Sequence, residues 1–538
     1  MFQLPKPLKL YDTYQKTLVV LDPRQTVKAN TLKMYSCGPT VYNYQSIGNM
    51  RAAWLPDTIA RVAKLAGWQV EWTLNITDVG HLVSDGDEGE DKIEKGAKRE
   101  GKTVDEIVQF YTADYRKQTQ ALHLKIPRGK HNPKATEYIR EQMLLALQLL
   151  ANQQAYVTDD GIYFDTLANR NLNLPDHPVF KFSLTTQNQN QYTGREIVQT
   201  WKKHPDDFAL WKFVSPNNLQ KWQFSSFPET ENLIHQILQQ QPSLMQFDLL
   251  KLWGAPGWHS ECVCMICGTL NGYFPPKTAP DHDVIDLHTG GEDHIEIHHK
   301  NEILQSQALG FSLAKHWVHN KFVMVDGQKM SKSLGNVYLV RGRFNSTGFY
   351  SLTNPPIEIK GKLKAKYGFQ GFEPLAYRLM LMEHHYTEQL NFTWDKLEQS
   401  QLRLWNLRKE AAKLANLVSH SNQPTVISQP IFLELLELLL DNLNLPKFLE
   451  KYQALLSQAG ANQDTSLATI LAIFDHKILS LDLFPKLPTK LVALANQREM
   501  ARKEKNFTQA DALRAQISRL GWQVDDYPGG YGLWKKHR

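Results

Sequence analysis

Thiols, an imidazole and a carboxylate are the side chains of this sequence with the clearest capacity for chemistry. His298 and Glu302 are four residues apart, so on a helix they share one face and can chelate one ion. Cys262 and the distant Cys37 supply two thiols. Two sulfurs, one nitrogen and one oxygen form a donor set that suits zinc.

Two other interpretations remain open from spacing alone. The histidines can be ordinary surface or core residues, with Cys262, Cys264 and Cys267 as small buried side chains. Alternatively, all four cysteines form a structural metal site, because Cys264 and Cys267 have the Cys-x-x-Cys spacing of many zinc ligands. Sequence spacing leaves the three interpretations comparable.

A second candidate for chemistry is the run Lys329-Met330-Ser331-Lys332-Ser333, which precedes Leu334-Gly335-Asn336. Its composition is typical of a mobile loop. The two ammonium groups, of Lys329 and Lys332, can neutralise charge that develops on a pyrophosphate leaving group. Loops rich in lysine and serine are also common on solvated surfaces, so the run is modest support by itself.

The elements that must position these residues follow a strand–helix–strand order. Thr31–Cys37 predicts a strand, Ile47–Ala66 a helix by its apolar period, and Val70–Ile76 a second strand by alternation. This order favours a parallel sheet with a right-handed crossover. The Gly48-Asn49 turn would then lie at the amino end of the helix, where phosphates bind.

Composition sets the broad class. A chain of 538 residues with 42% hydrophobic and 22% charged residues predicts several globular domains, and the net charge of +6 permits binding of nucleic acid without requiring it. No secretory signal is visible, and the apolar run Ile431–Leu440 is too short and too charged for a membrane span. Four cysteines favour a reducing compartment.

The motifs together resemble those of the cysteinyl-tRNA synthetases, a family of class I aminoacyl-tRNA synthetases. The matching segments follow the order of the family over nearly the full length: Cys37-Gly38-Pro39-Thr40-Val41-Tyr42, Ile47-Gly48-Asn49, Asn75-Ile76-Thr77-Asp78, Asp207–Lys212, Gly257–Cys262, His298–Glu302, Lys329–Asn336, Glu373–Arg378, Leu390–Trp394, Asp511–Arg514 and Trp534. The joint occurrence of these segments is far more specific than any one of them.

The resemblance implies one zinc ion per chain, held by Cys37, Cys262, His298 and Glu302. In the family this ion is thought to bind the thiolate of the substrate directly, because a soft cation distinguishes sulfur from the hydroxyl of serine. Cys264 and Cys267 are additional to this set and have no assigned purpose.

The resemblance also assigns the amino-acid and nucleotide sites. Trp258 is expected to form a wall of the cysteine pocket, and Asp293 to hold the substrate ammonium group. Gly48 allows close approach of ATP, Asn49 binds the phosphates, and Lys332 with Lys329 stabilises pyrophosphate.

One residue departs from the family pattern. The usual first histidine of the nucleotide signature is Ser46 here, which can donate a hydrogen bond but has no titratable charge. The absence of a titratable charge at this position is expected to affect the rate of adenylation more than the binding of nucleotide.

The implied activity is ATP-dependent attachment of L-cysteine to tRNA(Cys) through cysteinyl-adenylate, with Mg²⁺ accompanying ATP. The expected enzyme is cytoplasmic and monomeric, with no membrane partner. Two alternatives remain open: a ligase that joins cysteine to an amino sugar, and a catalytically impaired tRNA-binding paralogue.

The expected fold class is α/β. A Rossmann-like catalytic domain over 1–340, with an inserted connective segment at about 130–205, is followed by an irregular connector over 341–372. A helical tRNA-binding bundle over 373–495 and a small anticodon-binding domain over 496–538 complete the expected chain. The role of the glutamine-rich stretch Ser215–Leu250 is not evident from the sequence.

Overall fold

The computed structural model describes residues 5–79, 92–172, 174–180, 202–275, 283–331, 334–343, 348–418, 427–527 and 530–536. Lys332, the predicted pyrophosphate-binding lysine, lies outside the described residues.

The predicted strand–helix–strand unit is present near the start of the chain. Its elements and the hairpin before it are β1 (Leu8–Asp12), β2 (Thr17–Leu21), β3 (Thr31–Ser36), α1 (Ile47–Leu65) and β4 (Gln69–Leu74). β3 and β4 pair in parallel, in register from Thr31 opposite Gln69 to Ser36 opposite Leu74. The prediction of parallel strands joined by a helix is therefore confirmed.

A long segment separates β4 from the next strand of that sheet. Its elements are α2 (Lys92–Glu100), α3 (Val104–Ala121), α4 (Ile139–Ala151), β5 (Ala155–Thr158), β6 (Gly161–Phe164), β7 (Phe208–Phe213), α5 (Pro228–Gln240), β8 (Gly254–Pro256) and α6 (Trp258–Ile266). Strands β5 to β8 form an antiparallel sheet in sequence order. Strands β7 and β8 of this sheet lie beyond residue 205, where the sequence placed the end of the insertion. The bounds of the insertion stay a prediction.

The chain then returns to the first sheet through β9 (Asp283–Gly291), α7 (His298–Ala308) and β10 (Ser312–Asn320). The sheet order is β10-β9-β3-β4, and all three pairings are parallel. This arrangement is the Rossmann-like sheet that the sequence predicted. Because parallel strands share one carboxyl edge, Cys37 after β3 and Asp293 after β9 lie on the same side of the sheet.

Short strands and two helices follow the sheet: β11 (Val323–Val325), β12 (Gln328–Lys329), β13 (Tyr338–Leu339), β14 (Tyr350–Ser351), α8 (Ile357–Tyr367), α9 (Pro374–Met382) and β15 (Leu390–Phe392). The prediction of an irregular connector over 341–372 is wrong for α8. Lys362 and Lys366 on this helix pair with Asp395 and Glu398, and Leu363 is buried. Its lysines therefore attach the helix to the next one.

The rest of the chain is helical until a final hairpin. The elements are α10 (Trp394–Ala412), α11 (Pro430–Leu440), α12 (Leu445–Asn462), α13 (Thr465–Phe474), α14 (Thr489–Lys503), α15 (Phe507–Arg519), β16 (Trp522–Tyr527) and β17 (Gly530–Lys535). Residue 496, the predicted start of the small C-terminal domain, falls inside α14, and this boundary stays a prediction. Among the described helices, none is long and apolar enough to cross a membrane.

Candidate functional site

Three separate parts of the fold bring four predicted ligands together. Cys37 directly follows β3, Cys262 lies on α6, and His298 and Glu302 occupy successive turns of α7. One donor atom from each lies within 4.8 Å of all the others. Cys37 is half-buried and the other three side chains are buried. The structure thus brings together the four residues named from the resemblance, and their role as ligands stays a prediction.

The spacing of the donor atoms suits a tetrahedral ion. The Sγ atoms of Cys37 and Cys262 are 3.9 Å apart, and His298 Nε2 lies 3.4 Å from Cys262 Sγ. Zinc–sulfur bonds of about 2.3 Å and zinc–nitrogen bonds of about 2.0 Å give tetrahedron edges of about 3.8 and 3.5 Å. These two distances are therefore close to those that a tetrahedral zinc ion requires.

The two carboxylate oxygens of Glu302 are buried beside the imidazole nitrogens of two histidines. Glu302 Oε1 lies 2.9 Å from His298 Nε2, and Oε2 lies 2.8 Å from His288 Nε2. Neither oxygen makes a hydrogen bond within the described residues. Buried polar atoms are normally satisfied, so donors that converge in this way fit a bound cation.

Electrostatics in the cluster also favours a cation. Burial opposes ionisation of Cys262, but the Cys37 thiol and the neighbouring His298 lower its pKa to about 6. Burial likewise opposes ionisation of Glu302, and the charges of His288 and His298 more than offset it, so the pKa of Glu302 is lowered. Two buried anionic donors therefore face one small volume.

The interpretation that all four cysteines bind one metal is wrong. Cys264 and Cys267 are buried on and just after α6, and neither belongs to a cluster of potential metal ligands among the described residues. Burial raises the pKa of both thiols. Both side chains pack in the apolar core beside α6. This position agrees with the interpretation of Cys264 and Cys267 as small buried side chains.

Sequence reasoning missed three histidines next to the cluster. His288 on β9, His299 on α7 and His319 on β10 are all buried. His299 Nε2 lies 3.2 Å from Cys37 Sγ, and its Nδ1 lies 2.7 Å from His319 Nε2. The available signal for His288 and His319 was a histidine within each of two apolar strands, because a polar side chain in a buried strand needs a partner.

A cavity of about 460 Å³ opens above the cluster and is lined by Cys37, Trp258, Asp293 and His294. The Trp258 ring stacks on the imidazole of His298, with ring centroids 4.3 Å apart and planes inclined by 19°. The Asp293 side chain is 57% exposed. The geometry is compatible with the predicted wall formed by Trp258 and with the predicted carboxylate for an ammonium group.

The other end of the same cavity is the amino end of α1. Ser46 caps this helix: its Oγ accepts from Asn49 N at 3.3 Å, and its backbone N–H donates to Asn49 Oδ1 at 2.9 Å. A Cβ on Gly48 would lie 2.5 Å from Cε of Met330. The serine that replaces the usual histidine is therefore a helix cap. Met330, which follows Lys329, packs directly on Gly48.

Lys329 lines the cavity from β12. Its Nζ lies 4.7 Å from the centroid of the Phe322 ring, and its carbonyl oxygen accepts a hydrogen bond from Asn336 Nδ2 at 3.3 Å. This position is compatible with a cation that meets the phosphates of a nucleotide.

One basic side chain of α14 is engaged within the protein. Arg498 is buried and makes a two-fold ion pair with Asp526, with both N–O distances 2.7 Å. Trp534 is half-buried, and its Nε1 donates to Asp525 Oδ2 at 2.7 Å. Arg498 therefore joins α14 to β16 instead of facing solvent.

Known proteins are similar to this chain over nearly its full length. The family described as the class I (C) catalytic domain of tRNA synthetases matches residues 23–227 and 239–353. A protein of Burkholderia lata named "Cysteine--tRNA ligase 1" is 32% identical, over 98% of this chain and 97% of that protein. Proteins named "Cysteine--tRNA ligase" are 32% identical in Novosphingobium aromaticivorans, over 97% of this chain and 95% of that protein, and 31% identical in Salinibacter ruber, over 98% of both.

Proposed function

The chain belongs to the cysteine–tRNA ligase family of class I tRNA synthetases, and on this premise we propose that it attaches L-cysteine to tRNA(Cys) through a cysteinyl-adenylate. The proposal includes one zinc ion per chain, Mg²⁺ with ATP, and a monomeric enzyme in the cytoplasm. The convergence of Cys37, Cys262, His298 and Glu302 within 4.8 Å is the observation that supports it most.

Zinc held by these four residues would supply a soft Lewis acid that prefers a thiolate to a hydroxyl. Cys37 of the cluster lines the same cavity as Gly48 and Asn49 of α1, so an amino acid whose side chain points at the cluster would extend its carboxylate toward α1. Trp258 closes the side of this pocket, and Asp293 offers a carboxylate to the ammonium group. Selection of cysteine over serine would then depend on sulfur chemistry rather than on shape.

At the other end of the cavity, ATP would lie against the amino end of α1. Gly48 permits close approach, and the side-chain amide of Asn49, whose oxygen is engaged by Ser46, can donate to a phosphate. The cysteine carboxylate attacks the α-phosphate, the bond to the β-phosphate oxygen breaks, and pyrophosphate leaves. Lys329, with Lys332, would stabilise the charge that develops on pyrophosphate.

In the second step, a terminal ribose hydroxyl of tRNA attacks the carbonyl carbon of the adenylate, and AMP leaves. No side-chain nucleophile is required. The C-terminal unit of α14, α15, β16 and β17 would bind the anticodon end, where Lys503 and Lys505 lie on and just after α14. The presence of this unit, and coverage of 97% of a full-length relative, favour tRNA over an amino sugar as acceptor.

Charging of an RNA transcript tests the proposal. The metal-loaded protein is expected to attach radiolabelled cysteine to a tRNA with a GCA anticodon, and not to the same tRNA with an altered anticodon. Transfer to glucosamine-type acceptors but not to tRNA would favour the amino-sugar ligase. Binding of tRNA without cysteine-dependent ATP–pyrophosphate exchange would favour the impaired paralogue.

A further inference from the structure

The carboxylate of Glu302 faces two different imidazoles. Its Oε1 lies 2.9 Å from His298 Nε2, and its Oε2 lies 2.8 Å from His288 Nε2, with all three side chains buried. A carboxylate with one oxygen toward each of two nitrogen donors has the arrangement of a bridging ligand in two-metal sites. A single zinc ion would use only one of these oxygens in a tetrahedral site.

Cys37 has the same double relationship. Its Sγ lies 3.9 Å from Cys262 Sγ on one side and 3.2 Å from His299 Nε2 on the other. The donor atoms of Cys37, His288, His299 and Glu302 lie within 4.8 Å of one another, as do those of the first set. The two sets share Cys37 and Glu302 and differ in the other two donors.

The two added histidines are held in different ways, and His299 has the outer hydrogen-bond partner that is usual for a metal ligand. His299 Nδ1 lies 2.7 Å from His319 Nε2, and His319 Nδ1 lies 2.8 Å from Oγ1 of Thr13. A ligating imidazole generally donates its second nitrogen to an outer partner, which fixes its tautomer and orientation. His288 is fixed instead by stacking on Trp317, with ring centroids 4.5 Å apart and planes inclined by 15°. Its ring nitrogens make no hydrogen bond within the described residues.

We propose that Cys37, His288, His299 and Glu302 form a second metal position next to the first, with Cys37 and Glu302 able to bridge the two. Its donors are one sulfur, two nitrogens and one oxygen, a set that suits zinc, cobalt or another late divalent transition metal and not magnesium or calcium. A metal can enter from the cavity, which Cys37 lines.

The second position is expected to bind more weakly than the first. It has one thiolate where the first has two, and when both are filled they share two of their donors. Burial and the neighbouring Cys262 raise the pKa of the Cys37 thiol, and a bound metal would remove its proton. Cys37, Cys262 and Glu302 would then supply three negative charges for two divalent ions. Substoichiometric metal would fill the first position and excess metal the second.

Titration of the metal-free full-length chain with Co²⁺, followed by visible spectroscopy and by metal analysis after gel filtration, tests this proposal. We expect two equivalents, the first with the stronger sulfur-to-cobalt charge-transfer band. Saturation at one equivalent in the presence of excess Co²⁺ would overturn the second position.

Variants separate the two positions. His299→Gln is expected to remove the second equivalent and to leave the spectrum of the first. His319→Ala, which removes only the outer partner, is expected to weaken the second equivalent about 10- to 100-fold. His316→Gln is a matched control on the same strand, because His316 pairs with Asp12 outside both sets.

The first position rests on the proposed function, and Cys262→Ser tests it independently of the second. Loss of the first equivalent only in Cys262→Ser, with His299→Gln and His319→Ala indistinguishable from wild type, would contradict the second position and leave the first intact. If a histidine variant does not fold, as judged by its thermal transition, the stoichiometry of the wild-type protein still decides the question.

Discussion

The Sγ atoms of Cys37 and Cys262 lie 3.9 Å apart, although 225 positions separate the two residues in the chain. β3 ends at the first thiol, and α6, which follows the whole inserted antiparallel sheet, presents the second. The insertion thus returns the chain to the carboxyl edge of the parallel sheet, where the thiol of Cys262 lies next to that of Cys37.

Replacement of Cys262 by serine is expected to abolish stoichiometric binding of one equivalent of zinc. A hydroxyl at this position is not ionised at neutral pH and is a poor ligand for a soft cation. Cys264→Ser is the matched control, since it makes the same change at a buried position of the same helix outside both donor sets. Equal zinc content in the two variants, measured by mass spectrometry after gel filtration, would contradict the assignment of Cys262.

Trp258 is expected to affect cysteine binding through its stack on His298. Trp258→Ala removes the ring that stacks on His298 and lines the cavity, so KM for cysteine is expected to rise. Trp258→Phe should retain most of the affinity. Trp253→Ala is the control, because Trp253 does not line the cavity. An unchanged KM in Trp258→Ala would exclude this ring from the cysteine pocket.

Ser46 is expected to matter as a helix cap that orients Asn49. Ser46→Ala should destabilise α1 by about 0.5–2 kcal/mol and raise KM for ATP in pyrophosphate exchange, whereas Ser46→Asn should preserve the cap. Thr103 provides the control, because it forms an equivalent capping box with Glu106 at the start of α3. Neither Thr103 nor Glu106 lines the cavity. If Ser46→Ala lowers the thermal transition as Thr103→Ala does and leaves KM for ATP unchanged, the cap has no role in the nucleotide site.

The Arg498–Asp526 pair is expected to act by holding α14 against β16. Arg498→Met should therefore raise KM for tRNA, and Asp526→Asn, which also removes the partner of Arg502, should raise it at least as much. Both variants should leave cysteine-dependent pyrophosphate exchange unchanged. A direct phosphate contact by Arg498 would give a different result, in which the arginine variant loses tRNA affinity and the aspartate variant does not. Aminoacylation kinetics with the two variants distinguish these outcomes.

The parallel sheet and its first helix could be predicted because their signals are local. The alternation of Val70–Ile76 and the apolar period of α1 depend only on neighbouring residues. The convergence of Cys37 with Cys262 could not be obtained from spacing and came from the family resemblance. The contribution of His288 and His299 was missed because no local pattern shows that side chains from β9 and α7 meet in one volume.

Charge was the least reliable sequence signal. The sequence predicted an irregular connector over 341–372, yet Lys362 and Lys366 of α8 pair with carboxylates of α10. Arg498 is also paired, and its partner, Asp526, is 28 residues away on β16. In both cases the ionic partner determines whether the charged side chain faces solvent. A partner that is distant in the sequence cannot be identified from the local pattern.

The preference for cysteine over serine in ATP–pyrophosphate exchange tests the account most directly. The zinc-loaded wild-type protein and Cys264→Ser are expected to show the same large ratio of kcat/KM for cysteine to that for serine, and Cys262→Ser is expected to lose most of it. If Cys262→Ser retains the wild-type ratio, the thiol cluster does not select the substrate and the proposed role of zinc is contradicted.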